Sequence, residues 1–355
     1  MTEEKMKKIS VWDIVNDIRI GWNLGNTLDA VTMNLKYDSD PLRWETCWGN
    51  PITTEKMIED ILAAGFNLIR VPVSWERHTD SNLVITPSWL GRVKEVVDYA
   101  YSKGAYVILN VHHEGWNFPF YDNRDRAREV AEKLWLQIAD YFKDYDEHLI
   151  FETQNEPRKI HTPLEWTGGD QEGWDVVNDV NEVCIKTIRS TGGCNLYRAV
   201  MLPTYAASMS SCAISAWKNP TGDDRVIASI HAYVPYRFAL STKEDGELEW
   251  ERTDAVIDRM MKDIRTHFTD KGVPAILGEC GALVRVTDRE TRLEWAEYFF
   301  GKASEIGMPC VWWDNNNFTP GHGETFGLYD RRENRFVFES LLDAMLKATS
   351  GRIRQ

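Results

Sequence analysis

Two glutamates follow short β-rich segments of the sequence, at positions where a side chain could take part in catalysis. Glu156 follows the segment 149–154, and Glu279 follows the segment 274–278. Breaking a glycosidic bond needs two carboxyl groups beside the sugar, one to donate a proton and the other to attack the sugar or activate water. The pair therefore predicts glycoside hydrolysis, against the simpler interpretation that both glutamates form salt bridges at the rim of a fold.

The same kind of position, at the end of an apolar segment, recurs along the chain. The polar and aromatic residues found there are Asn23, Arg70, His112, His113, Asn155, His231, Tyr233 and Trp313. A single strand can end in a charged residue by chance, but packing does not explain why seven of eight segments do so. These residues predict a shared catalytic face.

The elements that must position these residues alternate between short β-rich segments and amphipathic helical stretches, which favours βαβ units around a parallel sheet. The predicted strands are 20–24, 66–71, 105–111, 149–154, 197–202, 226–231, 274–278 and 309–313, and the helices predicted after strands 5, 6 and 7 are 206–217, 253–268 and 288–306. Eight such pairs predict an α/β fold of the (β/α)8 TIM barrel type, whose catalytic face lies at the carboxyl ends of the strands. We expect one catalytic domain over residues 1–355, with a short N-terminal helix at about 10–19. Strands 4 and 7 lie across such a barrel, so Glu156 and Glu279 would face each other.

The composition of the chain limits the classes of molecule that we expect it to bind. The net charge is -14, which disfavours nucleic acid, anionic membranes and acidic polysaccharides but leaves neutral glycans unaffected. The sequence has no run of 18 apolar residues, so we expect no transmembrane helix. The first ten residues are charged and do not resemble a signal peptide. We expect a monomer that acts on polysaccharide, extracellular or at the cell surface if a signal peptide has been removed and cytoplasmic if the sequence is complete.

The cysteines and histidines do not suggest a bound metal. The six cysteines have no CxxC pair and predict neither a zinc site nor a disulfide scaffold. Cys280, next to Glu279, is expected to be a small core residue, because adjacent strand residues face opposite ways. His112 and His113 could ligate a metal, but strand 1 lacks the His-x-His that a metal-dependent barrel hydrolase would need. We predict no metal and no cofactor.

Seven blocks of sequence resemble, in order, those of glycoside hydrolase family 5. They are GWNLGN at 21–26, IRVP at 69–72, NVHHE at 110–114, QNEP at 154–157, HAY at 231–233, LGE at 277–279 and WWDN at 312–315. The resemblance covers about residues 20–336. The strings NLGNTLDA at 23–30 and ETCWGNP at 45–51 resemble the endoglucanase and xyloglucanase branch of that family.

This resemblance implies a retaining endo-β-1,4-glucanase with a role for each residue. Glu279 would be the nucleophile and Glu156 the acid/base, while Asn155 would hold the sugar 2-hydroxyl. Arg70 and Tyr233 would hydrogen-bond Glu279, and Trp313 would lie beneath the sugar that is cut. His112 and His231 would support the carboxylates and the sugar, and Asn23 and His113 would bind sugar hydroxyls.

The physics of the two roles agrees with this assignment. A nearby cation such as Arg70 favours the ionised form of a carboxylate, as a nucleophile requires. The acid must keep its proton, so we expect the pKa of Glu156 to be raised by the neighbouring Glu279.

Glycan preference depends on loops that the sequence does not resolve. Further subsites could be formed by the loop aromatics Trp48, Trp116, Tyr205 and Tyr236. Internal linkages of cellulose-type chains, mixed-linkage glucan and xyloglucan are the expected substrates. A β-mannanase or a xylanase on the same barrel stays open, and so does a non-catalytic carbohydrate-binding barrel, which would not need both glutamates with Arg70 and Tyr233.

Overall fold

A computed structural model describes residues 3–242, 250, 255–285, 289–321, 323–352 and 354. Eight parallel strands pair in sequence order and close into a barrel, because β1 also pairs with β8. The strands are β1 (Gly21–Leu24), β2 (Leu68–Val71), β3 (Tyr106–Asn110), β4 (Leu149–Glu152), β5 (Val200–Ser208), β6 (Val226–Ala232), β7 (Ala275–Cys280) and β8 (Cys310–Asp314). The predicted (β/α)8 barrel is confirmed.

Helices cover the outside of the barrel and connect its strands. In chain order they are α1 (Glu3–Lys8), α2 (Val11–Asp17), α3 (Pro41–Glu45), α4 (Glu55–Ala63), α5 (Pro87–Tyr101), α6 (Arg124–Tyr141), α7 (Gln171–Ser190), α8 (Ser211–Ala216), α9 (Tyr236–Ala239), α10 (Ala255–His267), α11 (Arg289–Glu305) and α12 (Glu339–Thr349). Helices at 253–268 and 288–306 were expected, and their predicted first residues lie outside the described residues. A two-stranded hairpin, β9 (Tyr329–Asp330) with β10 (Arg335–Phe336), follows β8. In the described part of the chain no helix is both long and apolar enough to cross a bilayer.

The segment after strand 5 differs from the sequence prediction. A strand at 197–202 and a helix at 206–217 were expected, but β5 continues to Ser208 and α8 begins only at Ser211. Ala206 and Ala207 have φ of 56° and 46°, a left-handed conformation that bends a strand rather than starting a helix. The register between β5 and β6 shifts there, as at a bulge.

The N-terminal end of the barrel is closed by α2. Ser10 and Asp13 form a capping box at its start. Its apolar side packs into the barrel interior, where we name the buried set the floor cluster. Its members are Val11, Ile14, Val15, Ile18, Leu68, Tyr106, Ile108, Ile150, Ala199, Met201, Ile227, Ile276 and Val311. The predicted N-terminal helix at about 10–19 is therefore present, and it seals the end of the barrel opposite the carboxyl ends of the strands.

Candidate active site

Arg70 lies at the centre of the carboxyl-terminal face of the barrel. The register aligns Asn23 of β1 with Arg70 on one side and Trp313 on the other. The fully buried guanidinium donates from Nη1 to Glu279 Oε1 at 2.8 Å and to Asn23 Oδ1 at 2.9 Å, and from Nη2 to Asn155 Oδ1 at 2.7 Å. Arg70 therefore connects residues of β1, β7 and the end of β4 in one network.

Glu279 of β7 is a buried carboxylate with a hydrogen-bond donor on each oxygen. Arg70 donates to Oε1, and the Tyr233 hydroxyl donates to Oε2 at 2.9 Å. Burial and the negative charge of Glu279 raise the pKa of Tyr233 well above its usual value, so the phenol stays protonated as a donor. Both hydrogen bonds expected for Glu279 are present.

Glu156, just after β4, faces Glu279 across His231 of β6. His231 Nδ1 lies 2.9 Å from Glu156 Oε1 and 3.7 Å from Glu279 Oε2. The nearest ligand atoms of these three residues all lie within 4.8 Å of one another. Carboxyl groups that form a covalent glycosyl intermediate are about 5–5.5 Å apart, whereas about 6.5–9.5 Å is needed to admit a water molecule. The geometry fits the shorter, retaining arrangement.

The protonation of Glu156 differs from the expectation of a raised pKa. Burial raises the pKa of Glu156, but the hydrogen bond and charge of His231, together with Arg158, lower it by more. Burial lowers the pKa of His231, and Glu279 and Glu156 raise it by more. Glu279 therefore does not set the pKa of Glu156 alone, because His231 and Arg158 also lie beside Glu156.

Asn155 and His112 have their orientation fixed by neighbours. Because Asn155 Oδ1 accepts from Arg70, its amide nitrogen is the group left to donate. Asn110 places its amide nitrogen 3.0 Å from His112 Nδ1, so Nδ1 accepts and Nε2 carries the proton. Burial lowers the pKa of His112 well below its usual value, which keeps the ring neutral. Its ring is parallel to Trp313, with centroids 5.8 Å apart.

Three side chains for which a sugar contact was predicted are buried in interactions with other residues. Asn23 is fully buried beneath Arg70 and donates to the Gly278 carbonyl at 2.9 Å. Trp116 is 1% exposed and donates to Glu114. Tyr205 is 2% exposed, accepts from the Lys159 backbone amide and donates to the Leu164 carbonyl. Asn23 therefore positions Arg70, and neither aromatic ring offers a face to a glycan.

Two other predicted loop aromatics remain accessible. Trp48 is 43% exposed and packs against His113, with ring centroids 5.6 Å apart. Tyr236 is 58% exposed. Trp48 borders a polar cavity of about 500 Å³. The other residues lining this cavity are Asn26, Gly49, Asn50, Asn315, Asn316, Asn317, Glu324 and Arg332.

Two residues near the glutamates were missed by the sequence argument. Arg158 lies 3.5 Å from Glu156 and stacks on the exposed ring of Trp166 at 4.3 Å. Glu152 is completely buried in β4 and contacts Arg70. A signal for Glu152 was available, because it follows Ile150 of the floor cluster by two residues and so faces the same side of the strand.

Comparison with known proteins agrees with this geometry. The profile of the cellulase family, described as glycosyl hydrolase family 5, matches residues 35–319. Endoglucanase B of Neocallimastix patriciarum is 45% identical over 98% of this chain and 74% of its own length. Endoglucanase A of Clostridium longisporum is 47% identical over 95% of this chain and 66% of its own length.

Solved structures extend the similarity to the whole barrel. A GH5-4 broad specificity endoglucanase from Clostridium longisporum has a TM-score of 0.93 at 45% identity, covering 97% of this chain and 99% of that one. Another from Ruminococcus champanellensis, with bound cellotriose, has a TM-score of 0.91 at 41% identity, covering 95% and 98%. The match of both sequence and fold over nearly the full length means that the chain belongs to glycoside hydrolase family 5, the cellulase family.

Proposed function

We propose that the chain is a retaining endo-β-1,4-glucanase, with Glu279 as the nucleophile and Glu156 as the acid/base. The observation that carries this proposal is the spacing of the two glutamates, whose nearest oxygens lie within 4.8 Å of one another and of His231 Nδ1. The roles follow from their neighbours. Arg70 and Tyr233 donate to the two oxygens of Glu279 and orient it for attack, while Glu156 shares a proton with His231.

The reaction then proceeds in two displacements. A Glu279 oxygen bonds to the anomeric carbon as the bond to the leaving oxygen breaks, and Glu156 delivers a proton to that oxygen. Asn155 donates its amide N–H to the sugar 2-hydroxyl, a contact that strengthens in the transition state. In the second step Glu156 takes a proton from water, the water oxygen bonds to the anomeric carbon, and Glu279 leaves as a carboxylate.

The proton for the first step comes from the Glu156–His231 pair. Burial is the largest influence on Glu156 and acts to raise its pKa, against the lowering by His231. A glucan chain lying over the pair would exclude water and add to that burial, which favours the neutral carboxyl over the ion pair. Substrate binding would therefore move the proton from His231 Nδ1 to Glu156, where the leaving oxygen needs it.

We further propose that xyloglucan and mixed-linkage glucan are substrates beside cellulose-type chains. Relatives named broad specificity endoglucanases and a lichenase from Caldicellulosiruptor sp. F32 at 38% identity support this breadth. Trp48 offers an exposed aromatic face beside the polar cavity, suited to a glucosyl ring. The glucan-degrading activities in the names of these relatives favour glucan over the β-mannanase and xylanase alternatives.

The remaining proposals concern the molecule around the site. We propose one catalytic domain, a monomer, and catalysis without a metal. Asp29, His112 and His113 have ligand atoms close enough to hold a cation. However, both oxygens of Asp29 accept backbone amides, from Asn26 and Thr27, and His112 Nδ1 accepts from Asn110.

The proposal is tested by the products of the wild-type chain. We expect hydrolysis of carboxymethylcellulose, mixed-linkage glucan and xyloglucan, with xylan and mannan as comparison substrates. Proton NMR of fresh product should show the β-anomer first, because two inversions retain configuration. Activity should survive dialysis against EDTA. Initial release of the α-anomer, or action on mannan with none on glucans, would contradict the proposal.

A further inference from the structure

A third carboxylate, Glu152 of β4, lies beneath the site and has no part in the mechanism proposed above. Its side chain is completely buried. Oε2 accepts from Arg70 Nε at 2.8 Å and from Asn110 at 3.1 Å, and lies 2.7 Å from Arg70 Nη2. Oε1 accepts from the Ser229 hydroxyl at 2.5 Å. Both oxygens are therefore fixed by donors from three different strands.

Arg70 is shared between this carboxylate and Glu279. Its Nε and Nη2 face Glu152, and its Nη1 faces Glu279 at 2.8 Å. Asn23 and Asn155 accept from the remaining side of the guanidinium. The network leaves Arg70 no alternative orientation, and it places one positive charge between two buried carboxylates.

The sharing of one charge has a consequence for nucleophilic attack. A buried cation paired with one carboxylate alone would favour the ionised form strongly and make that carboxylate a weaker base. When two carboxylates are both ionised, the weaker base is also the weaker nucleophile. A second carboxylate on the other side of the cation, as Glu152 is for Arg70, reduces the effect of the positive charge on the first carboxylate. The hydrogen bond from Arg70 that orients Glu279 is kept.

We propose that Glu152 is a positioning residue for the nucleophilic step: it anchors Arg70 and offsets part of its charge, so that Glu279 is held in place yet remains basic enough to attack. This inference rests on the proposed role of Glu279 as nucleophile. A purely structural role would require only an acceptor for Arg70, which a glutamine oxygen also supplies. The negative charge of Glu152 is what distinguishes the two interpretations.

Other titratable groups face the same network and must be unchanged in any test. From the elements around it they are Asp29, Arg70, His112, His113, Glu156, Arg158, His231, Tyr233, Cys280 and Glu324. Glu152→Gln changes none of these residues and is close to the wild type in shape. Ser229→Ala is the matched control, because it removes a hydrogen bond to Glu152 and leaves the charge.

The experiment measures kcat/KM against pH on an aryl β-cellobioside with an activated leaving group, which makes attack by Glu279 the step under test. In Glu152→Gln the positive charge of Arg70 is no longer shared with a second carboxylate. We expect the acid limb to move down by about one pH unit and the plateau to fall about tenfold or more. Ser229→Ala should leave the acid limb where it is in the wild type. An unmoved limb, or a limb moved upward, in folded Glu152→Gln overturns the proposal.

A second variant covers the case in which Glu152→Gln does not fold. Glu152→Asp keeps the charge and withdraws the carboxylate from Arg70, so the plateau should fall about tenfold with the acid limb in place. A normal plateau in Glu152→Asp overturns the positioning role. Failure of the underlying mechanism is recognised separately, by trapping wild type with a 2-deoxy-2-fluoro-β-cellobioside. If peptide mass spectrometry finds the label on a residue other than Glu279, the proposed function fails, whatever the Glu152 variants do.

Discussion

Glu156 and Glu279 are the same residue type, and their surroundings give them different chemistry. Glu279 accepts one hydrogen bond from the Arg70 guanidinium and one from the Tyr233 phenol, and each donor contacts a different carboxylate oxygen. Glu156 instead contacts His231, a group that can return a proton. At the scale of single residues, the proposed roles of nucleophile and acid differ in whether the neighbouring donor can give up its hydrogen.

This difference predicts distinct mutant phenotypes. Glu279→Ala should abolish turnover on every substrate, because no covalent intermediate can form. Glu156→Ala should lose about 100- to 10,000-fold on natural glucans, whose leaving oxygens need a proton. On an activated aryl glycoside its first step should survive, and added azide should speed the second step and give a β-glycosyl azide. Near-normal rates in Glu279→Ala would refute the assignment of roles.

How much of the site the sequence predicts depends on what each residue touches. Arg70, Tyr233 and Glu279 follow from their positions at strand ends, because the barrel brings all strand ends to one face. The pKa of Glu156 does not follow, since it depends on His231 and Arg158 at distances that no motif gives. Asn23 shows the same limit: its position at the strand end was predicted correctly, but its amide points at Gly278 and Arg70 rather than into the cleft.

At the scale of elements, the loop after β2 is tied to the loop after β3 by Glu114. Its carboxylate accepts the backbone amides of Trp75 and Glu76, at the start of a short 3-10 helix, and the indole N–H of Trp116. Burial raises the pKa of Glu114 from its usual 4.5 to about 8, even though these three donors lower it. The two loops that flank the sugar-binding face therefore share one buried titratable group.

This group predicts a pH dependence of stability. Because the folded state holds the Glu114 proton more tightly than the unfolded chain, its contribution is fully present below about pH 4.5 and is lost as pH rises through about 8. Urea unfolding between pH 5 and 8 should show a decline in wild type that is weaker in Glu114→Gln. The exposed Glu129→Gln, on α6, should keep the wild-type slope. An equal slope in Glu114→Gln would show that the carboxylate stays ionised throughout.

The start of a helix leaves a signal in the sequence where a side chain caps it. Thr54 and Asp170 both cap their helices through the side chain, and such residues are readable in a sequence. The segment 200–217 was predicted worst, because its course depends on left-handed alanines at 206 and 207. Alanine carries no sequence signal for that conformation, which the surrounding fold imposes.

At the scale of the whole molecule, stability and chemistry are separated along the barrel axis. The floor cluster joins α2 to the interior side chains of strands around the barrel, whereas Arg70, Glu156 and Glu279 lie at the opposite, carboxyl-terminal ends. The packing of the floor cluster and the geometry of the site can be tested with separate variants, although β2 and β3 pair Arg70 directly with Ile108 of the floor cluster.

Ile14→Ala tests this separation. Ile14 is 1% exposed within the floor cluster, so removing its side chain leaves a cavity and should lower the free energy of unfolding by about 2–4 kcal/mol. The measurements are the urea midpoint and kcat/KM on mixed-linkage glucan at a temperature well below unfolding. Leu136→Ala, on α6 and 50% exposed, is the control and should change stability by less than about 0.5 kcal/mol. Unchanged kcat/KM in Ile14→Ala would mean that the eight strands hold the site in place even when their floor is weakened. A large fall in kcat/KM in the folded variant would instead mean that packing beneath the barrel sets the positions of Arg70 and Glu279 above it.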